Sequence, residues 1–296
     1  MGIDRDLMER GILMRDSRIY FAFAFLLACA SPAHAKVISD VTYSTLPDGK
    51  EMKLDIAIPE GNGPFPAIVA VHGGAWRFGS RKELDGWITF LANEGYVAAT
   101  ISYRLVPDGK FPDPLVDVKT AVRYLRANAA KYNLDPERIG AVGFSAGGHL
   151  VNLLGTVGPD AGFEGKEYPE QSSKVQGVVS FFGPTDLALY GHDESAQNAI
   201  FEPLLGSRFK KDATAYAKAS PISYVNKNAA PTLFLHGTRD WIVPIEHSRA
   251  MHKKMSDAGA TSELLEIEGG NHGFTGNGAL KANHAMLDFF AKVLKK

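Results

Sequence analysis

Gly143-Phe144-Ser145-Ala146-Gly147 follows an apolar run at residues 139–142 and opens a segment with helical spacing at His149, Leu150, Leu153 and Leu154. This stretch limits the fold more than any other. A strand must become a helix within a few residues, in a turn so tight that only glycine fits two positions to either side of its centre. Such an elbow lifts the central side chain above the end of a sheet. Ser145 is therefore a candidate nucleophile, and the chain is expected to contain a β-sheet whose strand ends carry the chemistry.

The remaining parts follow in a consistent order. Upstream, residues 69–71 form an apolar strand ending in His72-Gly73-Gly74-Ala75-Trp76. Attack on an ester carbonyl places negative charge on its oxygen, and that charge needs preorganised N–H donors. Glycines let a backbone approach closely enough to supply them. The amides of Gly73 and Gly74, with Ala146 after the nucleophile, are the candidate donors, and Trp76 is a candidate pocket residue beside them. Downstream, a short strand from Thr232 runs into His236-Gly237-Thr238-Arg239-Asp240, and a second strand over residues 263–267 leads into Gly269-Gly270-Asn271-His272-Gly273. Asp240 and His272 are the candidate acid and base. A serine hydroxyl is a weak nucleophile until an imidazole takes its proton, and a buried carboxylate orients that imidazole.

The chain has nine histidines, so His272 has rivals. His34 falls in a leader-like segment, while His72, His149 and His236 flank turns already described, His236 as a structural residue at a strand end. His192, His247, His252 and His284 fall in segments that read as helical or solvated. Only His272 lies in a glycine-rich loop after the last strand. Glu246 and Asp257 compete with Asp240 as the acid, but both belong to a helical stretch, residues 245–258, and suit a solvated face.

With His72-Gly73-Gly74-Ala75-Trp76, Ser102-Tyr103-Arg104-Leu105, Gly143 to Leu150, Phe182-Gly183-Pro184-Thr185-Asp186, Ala219-Ser220-Pro221-Ile222 and His236 to Asp240 in place, the chain resembles the α/β-hydrolase serine esterases. Within them it is most similar to the bacterial feruloyl/acetyl-xylan esterase-like group. The order Ser145, Asp240, His272 is that fold's nucleophile–acid–base order. The resemblance implies an ester hydrolase with a small-molecule or polysaccharide-linked ester as substrate, and it extends over nearly everything after residue 36. Ala75 departs from it, standing where many relatives have a third glycine.

At 296 residues, 45% hydrophobic and 22% charged, the chain is large enough to bury one sizeable core, so residues 36–296 are expected to form a single domain. A formal net charge of −1 gives no electrostatic reason to bind nucleic acid or anionic membranes. No C-x-x-C, H-E-x-x-H or G-x-G-x-x-G pattern appears, so neither metal nor cofactor is expected.

Residues 1–35 read as a signal peptide. Arg15 and Arg18 precede an apolar stretch over residues 19–30, too short for a comfortable membrane span, and Ala33-His34-Ala35 follows as a cleavage site. Export to the periplasm or the medium is the expectation. Leu26-Leu27-Ala28-Cys29 resembles a lipoprotein box, which leaves a lipid anchor at Cys29, the only cysteine, as the alternative.

The rest alternates between strands and helices. Strands are expected at 52–58, 66–71, 96–101, 175–182, 232–235 and 263–267, with helices at 83–93, 114–131 and 279–295. Asp135-Pro136 breaks the chain before the elbow strand. The prediction is an α/β fold, a mostly parallel sheet with helices on both faces. Residues 158–174 read as a surface loop, and residues 190–216 either as a small lid or as a helix covering the sheet edge. Two other functions share these motifs. A serine peptidase or amidase, including the arylformamidase type, keeps the same order of nucleophile, acid and base. A non-catalytic binding module of the same fold usually loses the serine or the histidine.

Overall fold

The computed structural model describes residues 35–191 and 193–295. The expected leader, its apolar stretch, Cys29 and His192 lie outside the described residues. Eight strands form one sheet: β1 (Lys36–Thr45), β2 (Glu51–Ile58), β3 (Phe65–Val71), β4 (Val97–Ile101), β5 (Leu134–Phe144), β6 (Gly177–Phe181), β7 (Thr232–Gly237) and β8 (Ser262–Ile267). Their spatial order is β1-β2-β4-β3-β5-β6-β7-β8. The pairs β1–β2 and β2–β4 are antiparallel, and every pair from β4 onward is parallel. This is the α/β-hydrolase fold.

Parallel strands covered on both faces must be apolar throughout. In β3, Ala67, Val69 and Val71 belong to one core cluster and Ile68 and Ala70 to the other, as the period of two requires. Helices α2 (Asp113–Ala127) and α3 (Ala146–Thr156) supply the first cluster with Leu115, Val118, Leu150 and Leu153. Helix α1 (Asp85–Asn93) supplies Trp87, Ile88 and Leu91 to the second. Three short helices, α4 (Glu194–Ala196), α5 (Glu202–Leu205) and α6 (Ala213–Ala219), lie between β6 and β7. They are followed by α7 (Glu246–Asp257), which covers Phe234 with Met251 and Met255. Helix α8 (Gly276–Leu294) closes the second face through Met286, Phe289 and Phe290. Among the described residues no helix is long and apolar enough to cross a membrane.

Four differences from the sequence expectations have physical causes. Strand β1 was not anticipated, because register shifts between Ile38 and Val41 and between Thr42 and Ser44 scramble its period-two pattern. Asp135-Pro136 does not precede β5 but lies inside it. Phe65 pairs with Leu134, then Ala67 with Ile139, so the proline sits in a bulge where no ladder donor is needed. Helix α2 ends at Ala127 rather than 131, because Asn128 caps it with its amide on the Tyr124 carbonyl.

Finally, residues 158–174 are more than a surface loop. The Glu164 carboxylate pairs with Lys119 and, at 2.9 Å, with Arg123, both buried on α2. Tyr168 donates to the Tyr43 carbonyl at 3.1 Å, and Ser44 donates to Glu167 at 2.9 Å. The segment is a strap from α2 to the edge strand.

Candidate active site

Ser145 sits between β5 and α3 at φ 54°, a left-handed conformation that L-residues adopt only under constraint. The constraint is crowding. A Cβ on Gly143 would run into the Gly147 carbonyl, and a Cβ on Gly147 would run into the carbonyls of Val71 and His72. The first turn of α3 is thus wedged against the end of β3. The Ser145 amide donates to the Phe181 carbonyl at 2.9 Å, which fixes the elbow to β6.

The same wedge brings the His72–Trp76 turn to Ser145. Gly73 lies so close that a Cβ there would be 2.9 Å from the Phe144 carbonyl and 3.3 Å from the Ser145 Cβ. His72 Nδ1 donates to the Gly73 carbonyl at 2.7 Å. Tyr103 stacks on the His72 ring with centroids 4.4 Å apart and donates to the His72 carbonyl at 3.1 Å. These contacts turn the carbonyls of His72 and Gly73 inward and leave the amides of Gly73 and Gly74 without a protein acceptor among the described residues. Ala146, the first residue of α3, has no intrahelical acceptor either. Burial depresses the His72 imidazole to about 4 despite its hydrogen bond to Gly73, so it is neutral at physiological pH.

The candidate acid and base arrive on separate loops, after β7 and β8. His272 Nε2 is 2.9 Å from Ser145 Oγ, and its Nδ1 is 2.8 Å from Asp240 Oδ2. Asp240 Oδ1 accepts from the amides of Ile242 and Val243, each at 2.9 Å. Burial raises the carboxyl's pKa. Hydrogen bonding from His236 and His272 and from the Val243 amide outweighs it, so Asp240 is held well below the usual carboxylate range. The arrangement can hold the Nδ1–H tautomer of His272 and leave Nε2 to receive the Ser145 proton. Phe182 packs against the His272 ring at 4.6 Å between centroids and keeps it over the serine.

Ser145, His272, Asp240, Gly73, Gly74 and Ala146 therefore meet at the carboxyl ends of the parallel strands, where open α/β sheets place their ligands. Trp76, anticipated as a pocket residue, is buried in the wall. It stands edge-on to His149 at 4.9 Å and lies 6.2 Å from Phe201. Glu246 and Asp257 are exposed on α7, as a solvated face requires. Within residues 190–216, Phe201, Leu204 and Tyr216 pack inward, in the core cluster of α2 and α3. Among the described residues no group of three His, Cys, Asp or Glu side chains is placed to hold a metal ion.

Sequence reasoning missed one support, His247, and did not reach the partners of another. His236, expected as a structural residue at a strand end, is buried at the end of β7. Its Nε2 also donates to the Val243 carbonyl at 2.8 Å and lies 3.4 Å from Asp240 Oδ2, while Ser248 shares a 2.7 Å bond with its Nδ1. His247, read as helical or solvated, is buried and accepts from the amides of Thr185 and Asp186 at 3.2 and 3.3 Å. Nothing local in the sequence pointed to the partners of either histidine.

The BD-FAE family matches residues 54–255. Esterase LipC of Mycobacterium tuberculosis is 36% identical over 218 residues, which cover 71% of this chain and 53% of LipC. The chain thus spans about half the length of that relative. Among solved structures, a truncated carbohydrate esterase from gut microbiota is similar with a TM-score of 0.76 and 29% identity, over 90% of this chain and 99% of that one. Thermogutta terrifontis esterase 2, phosphonylated by cyclosarin, is similar with a TM-score of 0.73 and 28% identity, over 88% and 94%. On the match across residues 54–255, the chain belongs to the BD-FAE family and is an α/β-hydrolase of the feruloyl/acetyl-xylan esterase-like group.

Proposed function

We propose that this chain is an exported serine carboxylester hydrolase acting on short-chain or carbohydrate-linked esters, such as acetyl or feruloyl groups. The observation that carries the reading is the continuous chain Ser145 Oγ–His272 Nε2 and His272 Nδ1–Asp240 Oδ2, at 2.9 and 2.8 Å. Ser145 Oγ attacks the ester carbonyl while His272 takes its proton. The oxyanion is held by the amides of Gly73, Gly74 and Ala146, and Asp240 stabilises the imidazolium. His272 then protonates the leaving alcohol, an acyl-serine remains, and water releases the acid through the same residues.

The names of LipC and of the gut carbohydrate esterase support ester chemistry and a carbohydrate-linked substrate. The leader-like residues 1–35 support export, with a lipid anchor at Cys29 as the variant of that route. The test is hydrolysis of p-nitrophenyl acetate, butyrate and octanoate and of acetylated xylan by the chain and by Ser145→Ala. Ser145→Ala is expected to lower kcat by about 10⁶-fold, as for other serine nucleophiles. Retention of most activity in a clean preparation overturns the assignment. Esterolysis that rises with chain length and is absent on xylan moves the substrate to lipid-like esters.

A further inference from the structure

Six large apolar side chains are exposed among the described residues: Val37, Phe78, Leu189, Trp241, Ile242 and Leu280. Four of them lie on segments that leave the carboxyl ends of parallel strands. Phe78 follows β3, Leu189 follows β6, and Trp241 and Ile242 follow β7. Ser145 stands at the end of β5 and His272 follows β8. Among the described residues, four of the six exposed large apolar side chains thus lie at the strand ends that carry the site, and exposed apolar clusters mark contact surfaces.

Trp241 dominates that rim at 78% exposure, whereas Trp76 and Trp87, the other two tryptophans, are buried. It is bonded directly to Asp240. The peptide that carries it is held on both sides, because Asp240 Oδ1 accepts from the amides of Ile242 and Val243 and His236 holds the Val243 carbonyl. The Tyr190 hydroxyl reaches the Ile242 carbonyl at 3.5 Å. Among the described residues no ring or cation packs on the indole, and most of the side chain is open to solvent. A large exposed aromatic on a fixed backbone is costly for a free surface and well suited to binding, since little further freedom is lost when a ligand covers it.

We propose that Trp241 is a stacking platform for a neutral sugar ring in the alcohol part of the ester, placed one residue from Asp240 by the turn that orients the acid. This rests on the ester-hydrolase reading above. A pyranose presents a flat face of C–H groups that an indole covers, while its hydroxyls stay in water at the open rim. A membrane surface needs a continuous apolar face of far greater extent than single side chains from three loops.

Trp241→Ala and Trp241→Phe test this on two substrates, acetylated xylan and p-nitrophenyl acetate, the second of which has no sugar. Trp241→Ala is expected to raise KM for acetylated xylan about tenfold, as loss of a binding aromatic does. It should leave kcat/KM for p-nitrophenyl acetate within about twofold, with Trp241→Phe recovering part of the loss. A merely structural role would lower both substrates together, and that result overturns the proposal, as does an unchanged KM on xylan. Acrylamide quenching gives an independent reading, because Trp241 is the exposed fluorophore. Unesterified xylohexaose should shield it in the Ser145→Ala protein. No shielding overturns the platform, whereas shielding without any esterolysis by the unsubstituted chain removes the reaction and leaves the platform standing.

Discussion

The elbow around Ser145 and the turn around Asp240 stand on either side of His272, and they are built by opposite means. The elbow is defined by what cannot be there. Gly143 and Gly147 are pressed against carbonyls that leave no volume for a methyl group, and the strained φ of Ser145 follows from that packing. The Asp240 turn is defined by what is bonded. Two amides take one carboxylate oxygen, His272 takes the other, and His236 and Ser248 hold the turn from beneath. A site made by exclusion fails at once when an atom is added. One made by hydrogen bonds weakens one partner at a time.

The largest effect expected within this contrast is Asp240→Asn. The amide can donate to His272 Nδ1 and so favours the wrong tautomer, and kcat should fall about 10⁴-fold with the fold intact. Steady-state kinetics beside a circular dichroism melt reads both quantities, and a lost fold would show that the turn is as brittle as the elbow. Gly147→Ala comes next. Its methyl meets backbone that cannot rotate away, so a loss of about 3 kcal/mol or more is expected, seen as a lower urea midpoint or as insoluble chain. A soluble Gly147→Ala protein with unchanged midpoint would end the claim of exclusion.

His236→Phe removes the prop beneath the acid without touching substrate. It should reduce kcat about tenfold at unchanged KM and shift the acid limb of the pH–rate profile, because the turn loosens around Asp240. An unchanged profile with uniform loss of stability would make His236 a packing residue alone.

The smallest effect per group distinguishes the two regions by titration. Burial depresses His72 and His149 on the elbow side to about 4 each, and His247 on the acid side to about 3, from 6.5. Above pH 6.5 these imidazoles are neutral in both folded and unfolded chains, and stability is full. As the pH falls below 6.5 the unfolded chain takes up protons that the folded chain refuses until about pH 4 to 3. Stability is then lost by roughly 1.4 kcal/mol per pH unit for each histidine. Melting temperature against pH should drop across that window. A His149→Asn protein should drop less steeply, and an equal slope would remove His149 from the account.

The same contrast explains what could be read from sequence. Exclusion fixes residue types, so the glycines around Ser145 and in the His72–Trp76 turn mark the elbow and its neighbour in the sequence itself. The apolar parallel strands were equally legible, because burial on both faces leaves only one kind of residue in them. Hydrogen-bonded support left no such trace. Tyr103 holds the turn at His72 from a distant strand end, and His236 and Ser248 meet only because α7 packs on β7. Strand β1 escaped for a third reason, its bulges having erased the alternation that betrays a strand. The chain order Ser145, Asp240, His272 compensated, since it names partners that no local pattern could connect.

The strap over residues 158–174 has a dynamic consequence. Freeing Glu164 would strand Lys119 and Arg123 as unpaired cations in the core, and breaking such a buried set costs about 3–5 kcal/mol. Small breathing motions are thereby suppressed, and the segment opens whole or not at all. Its ties to Tyr43 and Ser44 pull the edge strand into the same event. Amide protons of β1 and of the strap should therefore exchange with a common free energy, as one cooperative unit whose border runs along the rim of the sheet.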